Sequence, residues 1–239
     1  MMKPNNLQTK NSASKEAIQK VLRLSYDPQS LQDYYNTWAA KYNDDVSKER
    51  YQGPAYIVQY FSALHSQEMD LNPRASDIKI LDAGCGTGLV GMALHQKGYR
   101  NIDGFDLSPK MVEETRKLNV YNNLIAGCDM TKKIPAYKDN QYDATICCGV
   151  FTTGHVPPSS LKELIRITRS GGLVVVSTRK SYYDTSDFQS TCVSLQQENT
   201  VKLVSSVMDS PYLEEENAHY WAFVVGYSAS QLDEVQIIK

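Results

Sequence analysis

The chain has 239 residues, 41% of them hydrophobic and 22% charged, with a mean hydropathy of −0.44. That length supports one sizeable core with at most a small appendage, and no apolar run approaches the ~18 residues that a membrane helix needs. Twenty-five Lys and Arg against 27 Asp and Glu leave a net charge of −2 without a basic block, which disfavours a nucleic-acid partner.

The polar opening lacks the apolar stretch of a signal peptide. The cysteines (Cys85, Cys128, Cys147, Cys148 and Cys192) are odd in number and include no C-x-x-C, so neither a disulfide framework nor a metal site is expected. His65, His95 and His219 are scattered and add no metal ligand set. A soluble, cytoplasmic, monomeric protein with buried thiols is the expectation.

Residues 1–14 offer almost nothing to bury and are expected to form a disordered tail. Residues 15–72 read as a helical unit. Ile18, Val21 and Leu22, then Tyr34, Trp38 and Tyr42, recur at three- and four-residue spacing. Seven of the chain's 16 tyrosines fall here, from Tyr26 to Tyr60. Residues 73–239 read as the core, in which strands and helices alternate. Ile78–Ala83 is a short apolar strand, followed by a glycine loop and a helix through Leu89–Lys97 that Gly98 stops. Ile102–Leu107 is the next strand. Ser108 caps the following helix, with Pro109 at its first position.

Tyr121–Cys128 and Tyr142–Gly149 are further strands. Ser160 and Glu163 have capping-box spacing for a helix carrying Leu161, Leu164, Ile165 and Thr168. Gly171-Gly172 ends that helix, and Leu173–Ser177 is the fifth strand. Val201–Val207 and Trp221–Tyr227 are joined by a polar loop rather than a crossover helix, so they should pair antiparallel. The pattern is α/β, with a mostly parallel sheet covered on both faces. Ligands of such sheets sit at the carboxyl ends of the strands, near the switch in strand order.

The run Leu81-Asp82-Ala83-Gly84-Cys85-Gly86-Thr87-Gly88-Leu89 stands at such an end. Its glycines permit a tight turn and a close approach of backbone to ligand, and the helix behind it offers unpaired N–H groups. Taken alone, it also suits a purely structural turn or a dinucleotide site. The dinucleotide fingerprint, however, needs glycine where Leu89 stands, which counts against a nicotinamide-linked oxidoreductase. G-x-G-x-G preceded by an acid resembles class I S-adenosylmethionine-dependent methyltransferases. The resemblance implies a Rossmann-like, seven-stranded sheet with an antiparallel C-terminal strand. It also implies S-adenosylmethionine as cofactor, with its amino-acid end against Asp82, Gly84, Cys85, Gly86, Gly88 and Leu89.

Asp106 ends the second strand and is placed to accept ribose hydroxyls, each charge-assisted bond contributing about 1.5–3 kcal/mol. Dinucleotide enzymes place an acid likewise, so Asp106 alone does not separate the two cofactors. Leu107 and Met111 complete this part of the expected cofactor set. In Gly127-Cys128-Asp129-Met130 the resemblance assigns Asp129 to the adenine amino group, with Cys128 and Met130 flanking the ring; in isolation Asp129 is an ordinary loop acid. Tyr142–Phe151 resembles the family's fourth strand, whose end, at Cys148 and Gly149, passes under the methyl donor.

Upstream, Tyr35–Asn43 resembles the Y-D-x-W-A-x-x-Y-D segment of a small-molecule branch, with asparagine replacing both acids. Tyr35, Trp38 and Tyr42 are therefore expected to contact the cofactor from an N-terminal helical lid, with cation–π contact to the sulfonium. The other tyrosines are expected to pack. The implied reaction is methyl transfer to a small-molecule acceptor. Its alternatives are a non-catalytic cofactor-binding module and a protein methyltransferase. The [ND]-P-P-[YF] signature of amide and adenine N-methylation is absent from Cys148–Phe151. No general base is evident, and His155, just past the fourth strand, is the one candidate. It reads equally as a partly exposed histidine opening the next helix.

Overall fold

Three helices open the chain, α1 (Asn6–Leu22), α2 (Pro28–Lys48) and α3 (Gly53–Glu68), in a computed structural model that describes residues 6–24, 26–68 and 74–226. Asp27 starts α2: its Oδ2 accepts the Ser30 amide at 2.9 Å, and Pro28 follows where a missing N–H costs nothing. The start of α1 corrects the expected tail, because residues 6–14 are helical; residues 1–5 lie outside the described residues. Tertiary partners account for this helix rather than local apolarity. Ser14 is fully buried and its hydroxyl donates to the Glu49 carboxylate.

Strand–helix alternation follows. β1 (Lys79–Ala83), α4 (Leu89–Gln96), β2 (Asn101–Asp106), α5 (Pro109–Arg116) and β3 (Asn123–Ala126) form one half. β4 (Tyr142–Phe151), α6 (Leu161–Ile167), β5 (Thr168–Arg179), α7 (Lys180–Thr185), α8 (Phe188–Gln197), β6 (Val201–Ser210) and β7 (Ala218–Val225) form the other. The sheet runs β3-β2-β1-β4-β5-β7-β6. Its neighbours are parallel except at β5–β7 and β6–β7, as the missing crossover helix requires. Tyr227, expected in the last strand, lies outside the described residues.

Alternate residues of a strand point to opposite faces. Leu81 and Ala83 pack toward Leu164 of α6 and Phe188 of α8, whereas Ile80 packs toward Phe61 of α3 and Leu94 of α4. All of these are fully buried, each large side chain contributing about 1.5–3 kcal/mol. The sheet is thus covered on both faces, which leaves its carboxyl rim for function. All five cysteines are free and buried. Among the described residues, no helix is long and apolar enough to cross a membrane.

Several local expectations change. β3 is shorter than Tyr121–Cys128, since the Tyr121 hydroxyl leaves the strand line to donate to Asp82 Oδ2 at 2.6 Å. Ser160 and Glu163 form no capping box. Glu163 instead accepts the Ile134 amide at 2.7 Å and pairs with Arg166. β5 begins at Thr168 and carries Gly171-Gly172 inside a break in register against β4, so those glycines do not simply end a helix.

Candidate functional site

β1 connects toward β2, and β4 connects toward β5. A crevice therefore opens between β1 and β4 at their carboxyl ends. The glycine loop lines it. Gly84 and Gly86 have φ of +73° and +54°, where a side chain is strained. A Cβ at Gly84 would lie 2.5 Å from Val150 Cγ2, whereas one at Gly86 would meet nothing within 4 Å, so that stretch of backbone faces open space. The loop is fastened to β2. The Gly84 and Cys85 amides donate to the Phe105 carbonyl at 2.9 and 2.8 Å.

Asp106, at the end of β2, is held by backbone alone. Oδ2 accepts the Gly86 amide at 2.8 Å and Oδ1 accepts the Ser108 amide at 2.8 Å. Each oxygen keeps a further lone pair for a ligand. Burial pushes this carboxyl up to about 6. Ser108 caps α5 as expected, its Oγ accepting the Met111 amide at 3.1 Å. Asp129 is differently placed. Its Oδ1 accepts the Tyr26 hydroxyl at 2.9 Å and both the amide and the hydroxyl of Thr131 at 3.0 and 2.6 Å. Its capacity for a ligand rests on Oδ2, which has Lys132 Nζ at 3.3 Å.

One cavity joins these groups at the carboxyl rim of the sheet. Gly84 and Gly86 line it from the first loop, and Asp106, Leu107 and Met111 from β2 and α5. Cys128, Asp129 and Met130 line it after β3, Cys148, Gly149 and His155 from β4 and beyond, and Tyr35 and Tyr42 from α2.

Five expected residues lie outside this lining. Asp82 is fully buried and is taken up by Tyr121; burial pushes its carboxyl up to about 7. Cys85 is buried, and burial raises its thiol well above the usual range. Gly88 precedes α4 in left-handed conformation, and Leu89 packs against the cluster formed by α1 and α2. Trp38 stacks on Tyr35 and donates from Nε1 to Asp45 Oδ2 at 2.9 Å, which holds its ring inside the helical layer.

The cavity also takes Tyr26, Leu31, Phe105, Val150 and Val156, none of which the sequence singled out. Asn36 and Asn43, standing where the resemblance has acids, dock α2. Asn36 Oδ1 accepts the Ser108 hydroxyl at 2.7 Å and the Lys110 amide at 3.2 Å, and Asn43 Oδ1 accepts the Thr87 hydroxyl at 2.6 Å. Both contacts fall at the starts of the helices behind the cavity. An uncharged acceptor suffices there.

His155 is buried and lies outside any helix, which corrects the partly exposed, helix-opening reading. Its Nδ1 is 3.1 Å from the Thr153 carbonyl and its Nε2 is 2.6 Å from the Tyr35 hydroxyl. A carbonyl only accepts, so Nδ1 carries the proton and Nε2 accepts from Tyr35. Burial pulls the imidazolium down to about 4, leaving the ring neutral near pH 7. Among the described residues, no group of three or more His, Cys, Asp or Glu is placed to hold a metal.

A glycine loop and a strand-end acid at the switch point of a seven-stranded sheet ending in an antiparallel strand are features of the class I methyltransferase fold. Residues 81–176 match the family described as a methyltransferase domain. It is similar to human methyltransferase-like protein 27, at 32% identity over 146 residues, covering 61% of this chain and 56% of that relative. The chain thus spans about half the length of that relative. It also resembles the 18S rRNA (guanine-N(7))-methyltransferase of Bos taurus, at 38% over 74 residues, 31% of this chain and 25% of the other. The magnesium protoporphyrin IX methyltransferase of Synechocystis, solved with bound S-adenosylmethionine, superimposes with a TM-score of 0.61 at 21% identity, covering 83% of this chain and 96% of that one. That likeness is one of fold.

Proposed function

We propose that the protein transfers a methyl group from S-adenosylmethionine to a small-molecule acceptor. The carrying observation is Asp106, whose two oxygens are aimed by backbone amides at the wall of a largely apolar cavity. A ligand with paired hydroxyls and a flat base fits this set. Asp106 would take the ribose, Asp129 Oδ2 the adenine amino group, and Leu107, Met111, Cys128 and Met130 the ring faces. The open backbone at Gly86 would admit the amino-acid end.

When bound, the donor supplies a methyl carbon on a positively charged sulfur; an acceptor lone pair takes that carbon in line, and the sulfur keeps the electrons of the broken bond. The chain's own residues have to align the partners and exclude water, effects that reach ~7–11 kcal/mol in well-oriented systems. Tyr35 and Tyr42 serve as lid residues on the cavity wall and offer ring faces to a cation. A small acceptor is supported by the net charge of −2 without a basic block, which offers a phosphate backbone no attraction. The five free, buried thiols suit the reducing cytoplasm.

Isothermal titration with S-adenosylmethionine tests the site. Wild type should bind at micromolar levels and Asp106→Ala at least about tenfold more weakly, the loss of one charge-assisted bond. No binding at millimolar donor would overturn the assignment. Transfer of label from the donor to any component of a metabolite extract separates turnover from binding alone.

A further inference from the structure

Beside the donor cavity lies a second one that shares Tyr35, Tyr42, Gly149 and His155 with it. Its other walls are chiefly apolar and aromatic, including Ile18, Trp38, Tyr51 and Tyr212. Two polar side chains interrupt them, Thr152 and Arg179. Thr152 is 4% exposed, and its hydroxyl has no hydrogen-bond partner among the described residues. A buried orphan of this kind costs about 1–3 kcal/mol. It calls for a partner that the described residues do not supply.

Arg179 ends β5 and is 8% exposed. Its Nε donates to Glu216 Oε2 at 2.7 Å, and Nη2 pairs with the same oxygen. Glu216 is fixed in turn, because its Oε1 accepts the Ser181 amide at 2.9 Å. One edge of the guanidinium is therefore clamped, while Nη1 makes no hydrogen bond among the described residues. The Tyr212 ring lies 5.9 Å from Arg179 Cζ. A third cavity shares Ile18, Leu22, Arg179 and Leu213 with the second and has charged walls, among them Lys15, Glu49 and Asp184. Arg179 thus stands where the aromatic chamber meets a polar approach.

We propose that the second cavity is the acceptor site and that its ligand is a small aromatic hydroxy acid, with its carboxylate on Arg179, its ring among the aromatic walls and its hydroxyl on His155 Nε2. This rests on the donor reading of the first cavity. A carboxylate matches the free edge of a guanidinium in both shape and charge. Because Glu216 already balances the arginine, recognition comes from aimed donors rather than from net charge. Thr152 Oγ1 gains its missing partner from an acceptor oxygen. The acceptor hydroxyl takes the place of the Tyr35 hydroxyl as donor to Nε2, beside the wall shared with the donor cavity. On transfer its O–H bond breaks and the proton passes to Nε2. The freed oxygen pair forms the new bond to carbon, and the sulfur retains the electrons of the old one.

Calorimetry on the full chain saturated with S-adenosylhomocysteine tests this, using para-hydroxybenzoate, para-hydroxyphenylacetate and para-hydroxyphenylpropionate, each beside its amide. At least one acid should bind about tenfold or more tightly than its amide, the worth of one charge-assisted bond. Arg179→Gln should abolish that preference, Arg179→Lys should keep part of it, and Thr152→Val should weaken the acid several-fold. S-adenosylhomocysteine affinity should be unchanged in all three. Acids no tighter than amides, in a protein that binds S-adenosylhomocysteine, would overturn the acceptor assignment and leave the donor site standing. So would a preference that survives Arg179→Gln. Should that variant fail to fold, unaltered acid affinity in Thr152→Val overturns the assignment by itself. Failure of wild type to bind S-adenosylhomocysteine overturns both readings together.

Discussion

Replacing Asp106 by asparagine separates binding from folding, because the carboxylate bears on the two with opposite sign. In the folded chain its pKa rises from 3.8 to about 6 through burial. At neutral pH that rise corresponds to an ionisation penalty of about 3 kcal/mol. The penalty is absent below the unfolded value and fully felt above the folded one. Asparagine removes it, but presents an NH₂ to one of the two amides, Gly86 or Ser108, that the carboxylate now satisfies. Losing one charge-assisted bond costs about 1.5–3 kcal/mol.

The terms nearly cancel. Asp106→Asn should therefore shift Tm by less than about 4–8 °C, the equivalent of ~2 kcal/mol for a chain of this size. Cofactor affinity has no such compensation and should fall about 10- to 100-fold, the loss of one charge-assisted acceptor. Differential scanning fluorimetry and titration calorimetry on the same preparation read both quantities. Unaltered affinity would refute the ribose role. A collapse in Tm would refute the reasoning that the buried charge is held at a cost.

Cofactor affinity should fall about tenfold per pH unit below pH about 6, where ligand binding has to expel a proton from Asp106, and should be level above about 7; calorimetry across pH checks this, and Asp106→Asn should flatten the profile. Asn36→Asp places a negative charge at the start of α5, beside the Lys110 amide, and should add about 0.3–1 kcal/mol to stability, read as a small rise in urea midpoint that salt removes. Gly84→Ala forces a side chain into φ +73° against Val150 and should cost at least about 1–3 kcal/mol, seen as a lowered Tm together with weakened cofactor binding.

Much of this architecture is written in local signals. Strand order, the Ser108–Pro109 cap and the glycine loop depend on neighbours within a few residues and stand where the sequence put them, although several strand ends shift. Asp106 was equally readable, because the end of a strand fixes where its side chain goes. Partners distant in sequence account for the misses. Asp82 belongs to the right loop, yet Tyr121, far along the chain, claims its carboxylate. Glu163 has capping-box spacing, but Ile134 and Arg166 recruit it. Trp38 shares the periodicity of Tyr35 and Tyr42, while its indole turns inward to Asp45. Tyr26 and Arg179 sit in a loop and at a strand end with no motif around them. Only the folded arrangement brings them to the cavities.

The partition formed by Tyr35, Tyr42, Gly149 and His155 has a kinetic corollary. With donor and acceptor placed as proposed, the two ligands border each other across that wall. An ordered sequence, in which the nucleoside enters first and departs last, is the expectation. Steady-state analysis would then show the spent nucleoside competing with the donor yet noncompetitive toward the acceptor.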